Sequence, residues 1–495
     1  MRRVSLNGAH RRDRGLLSTL LQTARTRDPI TSEWLGQPTH ALHPELVGEG
    51  ELTPGIAKAE YDERRRRIAR ALPDGAVALL FSASTQFVSP HVFHEFRQDS
   101  DFYYLTGWNE PDSVVAIEKN GYADRGYTMT MFVRPKDPAR EVWEGPRSGL
   151  EAAVDVFGAD EARPIREFGE HAARLAAAGS TAVYADLDDD HGLVRSRHCQ
   201  TLRQQLQRHA GAGARLFPLG HLVQQERLVK SAAEIRLMRE ASRVTAAAFA
   251  ATMRACRPGV CESTLQATFA YASKMALAGA RPDRSVLTRP AYVPVFAAGE
   301  HAMCMHYVLN QGPVPDGCLV LADAGAEYAA YASDVTRTFP ASGRFTEPQR
   351  DLYSAVLSVQ EQMVRLCYAD SGYSLNEIHR CSVRALVGEL KQIGLRVAER
   401  DVERHLCPHH ISHYLGMDVH DTVDMPRSQR LRANMVVTVE PGVYVPYNDR
   451  FPKAFQGIGI RIEDNIVVGQ AEADIENLSR DTPKSVADIE ACMAR

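Results

Sequence analysis

At 495 residues the chain is too long for one ordinary core, and with 44% hydrophobic and 24% charged residues it has the composition of a soluble globular protein, so two or more domains are expected. A formal net charge of −4 gives no electrostatic reason to expect a nucleic-acid partner. No stretch is long and apolar enough to cross a bilayer: the best, residues 245–253, is short and flanked by Arg243 and Arg254.

The first residues differ from the rest. Arg2, Arg3, Arg11, Arg12, Arg14, Arg25 and Arg27 crowd together, with Asp13 the only acid among them. Leu16, Leu17, Leu20 and Leu21 fall at helical spacing between them. An Arg-rich, acid-poor amphipathic start reads as a mitochondrial transit peptide, with a basic tail as the plainer alternative. Pro29, Pro38, Pro44 and Pro54 then break any helix, so residues 1–50 read as presequence and extended arm. The nine cysteines are odd in number and lack Cys-x-x-Cys spacing, which argues against a disulfide framework or structural zinc and for a reducing compartment.

Residues 60–71 predict a basic helix. Strand candidates follow at 77–81, 102–105, 114–117, 128–133 and 181–184, with helical stretches between, so residues 51–228 are expected to form an α/β domain. Helical periodicity takes over at 232–256, through Ile235, Met238, Ala241 and Val244. Residues 229–495 then alternate helices, at 349–367 and 375–393, with strands rich in Val, Ile and Gly, the pattern of an α+β domain.

Acids interrupt several of these strands. In Cys318-Leu-Val-Leu-Ala-Asp323 an aspartate ends an apolar run, which costs desolvation energy unless its charge is compensated. A turn near residues 328–330 would bring Asp323 and Asp334 face to face across a ladder, where like charges repel unless a cation lies between them. The alternative is that each aspartate separately makes turn or capping hydrogen bonds. Met435-Val-Val-Thr-Val-Glu440 reads as a strand ending in a carboxylate. Gly459-Ile-Arg461-Ile-Glu463-Asp464 reads as another, with Arg461 and Glu463 on one face and Asp464 as an edge charge. Between the two aspartates and these later strands lies a dense histidine cluster at His409, His410, His413 and His420. One imidazole with four carboxylates is a hard, oxygen-rich donor set, suited to Mn²⁺ more than to structural Zn²⁺.

The strings Asp323-Ala-Gly, Ser333-Asp334-Val-Thr-Arg-Thr-Phe-Pro, Ser412-His413-Tyr-Leu-Gly, Asp418-Val-His420-Asp421, Thr438-Val-Glu440-Pro-Gly and Gly457-Ile-Gly-Ile-Arg461-Ile-Glu463-Asp464 together resemble the aminopeptidase P family of pita-bread metallopeptidases. Phe96-Arg-Gln98-Asp-Ser-Asp101-Phe102 resembles that family's creatinase-type N-terminal domain. Arg134-Pro-Lys-Asp-Pro138, Trp143-Glu-Gly-Pro-Arg147 and the paired His409-His410 resemble its mitochondrial branch of X-prolyl aminopeptidase and intermediate cleaving peptidase.

The resemblance implies two Mn²⁺ or other divalent ions, held by Asp323, Asp334, His413, Glu440 and Glu463, with Asp334 and Glu463 bridging. It implies Glu440 as proton carrier, His420 and His409 as donors to the scissile group, His306 as a positioner of the residue after the cut, and Arg461 as a partner of the carboxylates. The implied reaction removes one N-terminal residue from peptides or from presequence-processed proteins in the mitochondrial matrix. The alternatives are a strict Xaa-Pro aminopeptidase, a prolidase, metal-free creatinase-like chemistry, or a binding module that has lost catalysis. Tyr103 stands where a relative places a tryptophan that reaches a neighbouring subunit, so a homo-oligomer is left open. His410, where a small residue is usual, is expected to reshape the substrate pocket.

Overall fold

The computed structural model describes residues 34–177, 182–187, 196–208, 215–277 and 282–494. The arginine-rich start expected to act as a transit peptide lies outside the described residues.

The first half is built on a six-stranded mixed sheet. Its order is Arg215–Phe217, Ala182–Tyr184, Val77–Phe81, Val114–Lys119, Tyr127–Val133 and Glu161–Pro164. The central strands read as unbroken apolar runs because both faces are covered. Val77, Leu79, Val114 and Phe132 pack one side with Phe168 and Leu202. Ala78, Leu80, Val115 and Met131 pack the other with Phe102, Leu105 and Trp108. Residues 102–105, expected as a strand, instead lie in the helix Ser100–Thr106. Asp99 caps that helix by accepting from the Phe102 N–H, and Gly107 ends it at φ 65°, a left-handed stop.

The second half is α+β. The helix Ala232–Ala255 opens on a reciprocal Ser231–Glu234 capping box and packs along Glu262–Met275. Glu347–Val364 and Leu375–Gln392 form a second helical pair. Between and beneath them run short antiparallel strands. Val295–Ala298, Leu319–Ala324 and Val335–Pro340 form one group; Val436–Val439, Asp464–Val467 and Glu476–Asn477 form another; Gly442–Tyr444 pairs with Gly459–Arg461.

Two local differences from the sequence reading position the site. The turn near 328–330 exists: Tyr328 pairs with Tyr331 around Ala329 and Ala330, both at positive φ. However, Asp323 sits opposite Thr336, so Asp334 lies diagonally across from it on the same face. Gly325 sets this offset, because a Cβ there would lie 1.8 Å from the Ser333 carbonyl oxygen. The expected strand over 459–464 is divided in two. Gly459–Arg461 pairs with one strand and Asp464–Val467 with another. Between them the Ile462 N–H donates to Pro441 O and the Glu463 N–H to Thr336 O, which turns Glu463 into the space between the sheets.

Candidate metal centre

Strand ends from three sheets deliver their acids to one place. Asp334, His413 and Glu463 each offer an atom within 4.8 Å of the others, and all three are buried. His413 Nε2 lies 3.4 Å from Asp334 and 3.6 Å from Glu440. Asp323 joins through Tyr292, whose hydroxyl lies 2.6 Å from Asp323 Oδ1 and 2.5 Å from Asp334 Oδ1. All five expected donors therefore meet in one cluster.

Arg461 closes its back wall. The guanidinium contacts Asp323 Oδ2 at 2.5 Å, Thr336 Oγ1 at 3.1 Å and the Tyr444 hydroxyl at 2.7 Å. Thr336 in turn donates to Glu463 at 2.6 Å. Thr336 is visible in retrospect, two positions from Asp334 on the same strand face. Tyr292 and Tyr444 carry no local signal in the sequence: they reach the site only through the fold.

The charges do not balance within the protein. Burial pushes Glu463 well above the ordinary carboxylate range, and the fields of Asp334, Glu440 and Asp323 push it further. Burial likewise lifts Glu440 to about 7, against the opposing pull of His413 and Arg461. Burial opposes a charge on His413, yet the hydrogen bond to Asp334 and the field of Glu440 raise it to about 9. Four carboxylates, Asp334 and Glu463 buried and Asp323 and Glu440 half-buried, facing one imidazole and one guanidinium leave negative charge that a cation would neutralise, and the oxygen-rich set fits hard divalent ions.

The outer histidines separate into two kinds. His409 was expected to donate to the scissile group, but both its nitrogens are engaged. Nδ1 lies 3.1 Å from His410 O and Nε2 lies 3.1 Å from the Tyr444 hydroxyl. It could reach a substrate only by leaving Tyr444. His420 and His306 present exposed rings. The His420 ring stands perpendicular to His413, with centroids 4.7 Å apart. His410, expected to reshape the pocket, stacks on His379 at 4.5 Å, with Nδ1 2.8 Å from Ser412 O. Asp464, expected at an edge, is fully buried against Arg337. Tyr103 sits in a pocket between the halves, beside Arg97 and Glu327.

A donor set gathered at strand ends within one α+β half is the arrangement of a metal-dependent enzyme. The sequence model of metallopeptidase family M24 matches residues 236–470, and that of the aminopeptidase P N-terminal domain matches residues 61–184. The chain is 38% identical to Xaa-Pro aminopeptidase 3 of Mus musculus over 480 residues, covering 94% of this chain and 92% of that one. It is 34% identical to intermediate cleaving peptidase 55, mitochondrial, of Arabidopsis thaliana over 459 residues, covering 93% and 87%. The crystal structure of Icp55 from Saccharomyces cerevisiae superposes with a TM-score of 0.79 at 35% identity, covering 90% of this chain and 99% of that one.

The chain belongs to metallopeptidase family M24, with a pita-bread catalytic domain behind an aminopeptidase P N-terminal domain. More particularly, it is a metal-dependent aminopeptidase of the Xaa-Pro aminopeptidase type.

Proposed function

We propose that this enzyme removes a single N-terminal residue from proteins whose presequences have already been cut away, in the mitochondrial matrix, using two Mn²⁺ ions held by Asp323, Asp334, His413, Glu440 and Glu463. The observation that carries the reading is the cluster of four carboxylates, two of them buried and two half-buried, around one imidazole. When bound, the ions supply an acidified water and a Lewis acid for the scissile carbonyl.

The remaining work falls to the chain. Glu440 accepts the proton of the attacking water and returns it to the leaving nitrogen. His420, with its ring free at the mouth, donates to the oxygen on which charge develops. His306, also exposed, contacts the residue after the cut. His409, tied to Tyr444 and 3.9 Å from Glu440, keeps that carboxylate aligned. Arg461 holds Asp323 and, through Thr336, the region of Glu463. The arginine-rich start and the name of the plant relative, a mitochondrial intermediate cleaving peptidase, support the compartment and the processing role.

The test compares mitochondrial protein N-termini with and without the enzyme, alongside a panel of peptides with and without proline second. One-residue extensions in its absence, and cleavage of peptides lacking proline, support the reading. Unchanged N-termini with cleavage confined to Xaa-Pro peptides would leave a strict Xaa-Pro aminopeptidase. Elemental analysis of the purified enzyme decides the metal.

A further inference from the structure

His420 lacks a hydrogen bond to its imidazole from any described side chain; its one ring contact is the perpendicular face of His413. Its position therefore depends on the backbone of residues 416–421. That backbone is pinned from both sides of His420 by carboxylates, and the partners of those carboxylates lie outside the catalytic strands.

Asp418, two residues before His420, accepts from Ser100 Oγ at 2.7 Å, pairs with Arg97 at 3.1 Å and with Arg227 at 2.8 Å. Arg97 also donates to Met417 O at 2.7 Å. Asp421, one residue after His420, pairs with Arg227 through Oδ1 and with Lys230 at 3.0 Å through Oδ2. Arg227 is completed by Asp101 at 2.5 Å. Arg97, Ser100 and Asp101 belong to the N-terminal half, at the start of the helix Ser100–Thr106.

The loop is shaped to receive this clamp. At Gly416 a Cβ would lie 2.5 Å from Asp421 Oδ2, so any side chain there would displace the carboxylate. Thr422, where the chain leaves His420 and Asp421, is buried at φ 48°. A β-branched residue in the left-handed region is strained, and such strain persists only where the surroundings over-determine the backbone.

We infer that Arg97, Ser100 and Arg227 are positioning residues for His420: the N-terminal domain sets the catalytic geometry by clamping the two carboxylates that flank this histidine. This rests on the reading of His420 as a donor to the reacting group. Arg97 and Ser100 reach the His420 loop only at Met417 and Asp418, and Arg97's other partner in the second half is Glu327, at 3.1 Å, so neither touches His420 itself.

The test is a double-mutant cycle in the full chain loaded with Mn²⁺. Ser100→Ala removes two hydrogen bonds, the one given to Asp418 and the one accepted from Arg97, without leaving a buried charge bare, so it spares the fold; Arg227→Lys probes the clamp more deeply while keeping the charge. Each is made alone and on His420→Ala, and kcat, KM and metal content are measured. Ser100→Ala should lower kcat about three- to thirtyfold, within the range of coupling in one hydrogen-bonded network, with KM and metal content unchanged. On His420→Ala the same change should leave kcat where it was. An unchanged kcat in Ser100→Ala, or an equal loss in both backgrounds, overturns the clamp while leaving the role of His420 intact. Full activity in His420→Ala itself overturns both.

Discussion

Arg337 and Asp464 form an ion pair at 2.7 Å in which neither side chain reaches solvent, one residue from Glu463. The pair is satisfied on every side. Arg337 also donates to Glu463 O at 2.6 Å, and Asp464 accepts from Lys484 at 2.7 Å, Ser479 at 2.7 Å and Gln360 at 3.0 Å. It thus fixes the segment that turns Glu463 toward the other donors.

Asp464→Asn should cost about 3–5 kcal/mol, the usual penalty for leaving one member of a buried pair uncompensated. Burial raises the pKa of Asp464, but Arg337 and Lys484 outweigh it and hold the carboxyl well below its ordinary value. A depressed folded pKa gives stability that is fully present above the unfolded value, about 3.9, and is lost as pH falls toward the folded one. Denaturation followed from pH 7 down to 2 should show a steep acid limb in the wild type and a shallower one in Asp464→Asn. Parallel limbs would mean that other carboxylates govern acid unfolding.

Asp334→Ala should abolish turnover and remove metal, since Asp334 touches His413 and shares Tyr292 with Asp323. Elemental analysis and peptide hydrolysis check this together. A variant that keeps full activity after exhaustive chelation would end the two-metal reading.

His420→Ala should retain its metal and lose about a hundred- to a thousandfold in rate, the usual cost of one donor to a developing oxyanion. If instead the metal is lost, His420 belongs among the donors and the outer set has been misassigned.

Tyr292→Phe should act differently on the two forms of the protein. In the metal-free protein its hydroxyl lies between the carboxylates of half-buried Asp323 and buried Asp334 and relieves their repulsion. Its removal should destabilise that form by roughly 1–3 kcal/mol, the penalty for stripping a buried acceptor of its partner. With divalent ions present the acids have cations to face, so the loss should be smaller. The rise in melting temperature on adding Mn²⁺ should therefore be larger in the variant; an equal rise in both proteins would refute the account.

Much of the site was legible because acids within apolar strands demand an explanation. Asp323, Asp334 and Glu440 stand out against Leu, Val and Ala, and the turn that brings the first two together is local. What escaped was held by distance. Asp464 looked like an edge charge because its partner Arg337 is 127 positions away. Residues 102–105 read as strand from their aromatics, whereas the Asp99 cap and the Gly107 stop make them helix. The division at Ile462 and Glu463 depends on Pro441 and Thr336 from two other segments, which no window around residue 460 contains. His410, beside His409 in sequence, finds its stacking partner His379 on the helix Leu375–Gln392, which no local pattern around residue 410 contains.

The apolar layer on one side of the N-terminal sheet does not end at the domain edge. From Leu80, Val115 and Trp108 it runs on through Met238, Val244, Tyr331, Leu415 and Val436 as one continuous interior. Halves that share an interior melt together, so calorimetry should record a single transition rather than two. Neither half expressed alone would have a surface fit for water, and each would seek other chains to cover the exposed strip. Gene duplication and shuffling could therefore exchange the outer loops of this enzyme freely, but would have to move its two halves as one inheritance.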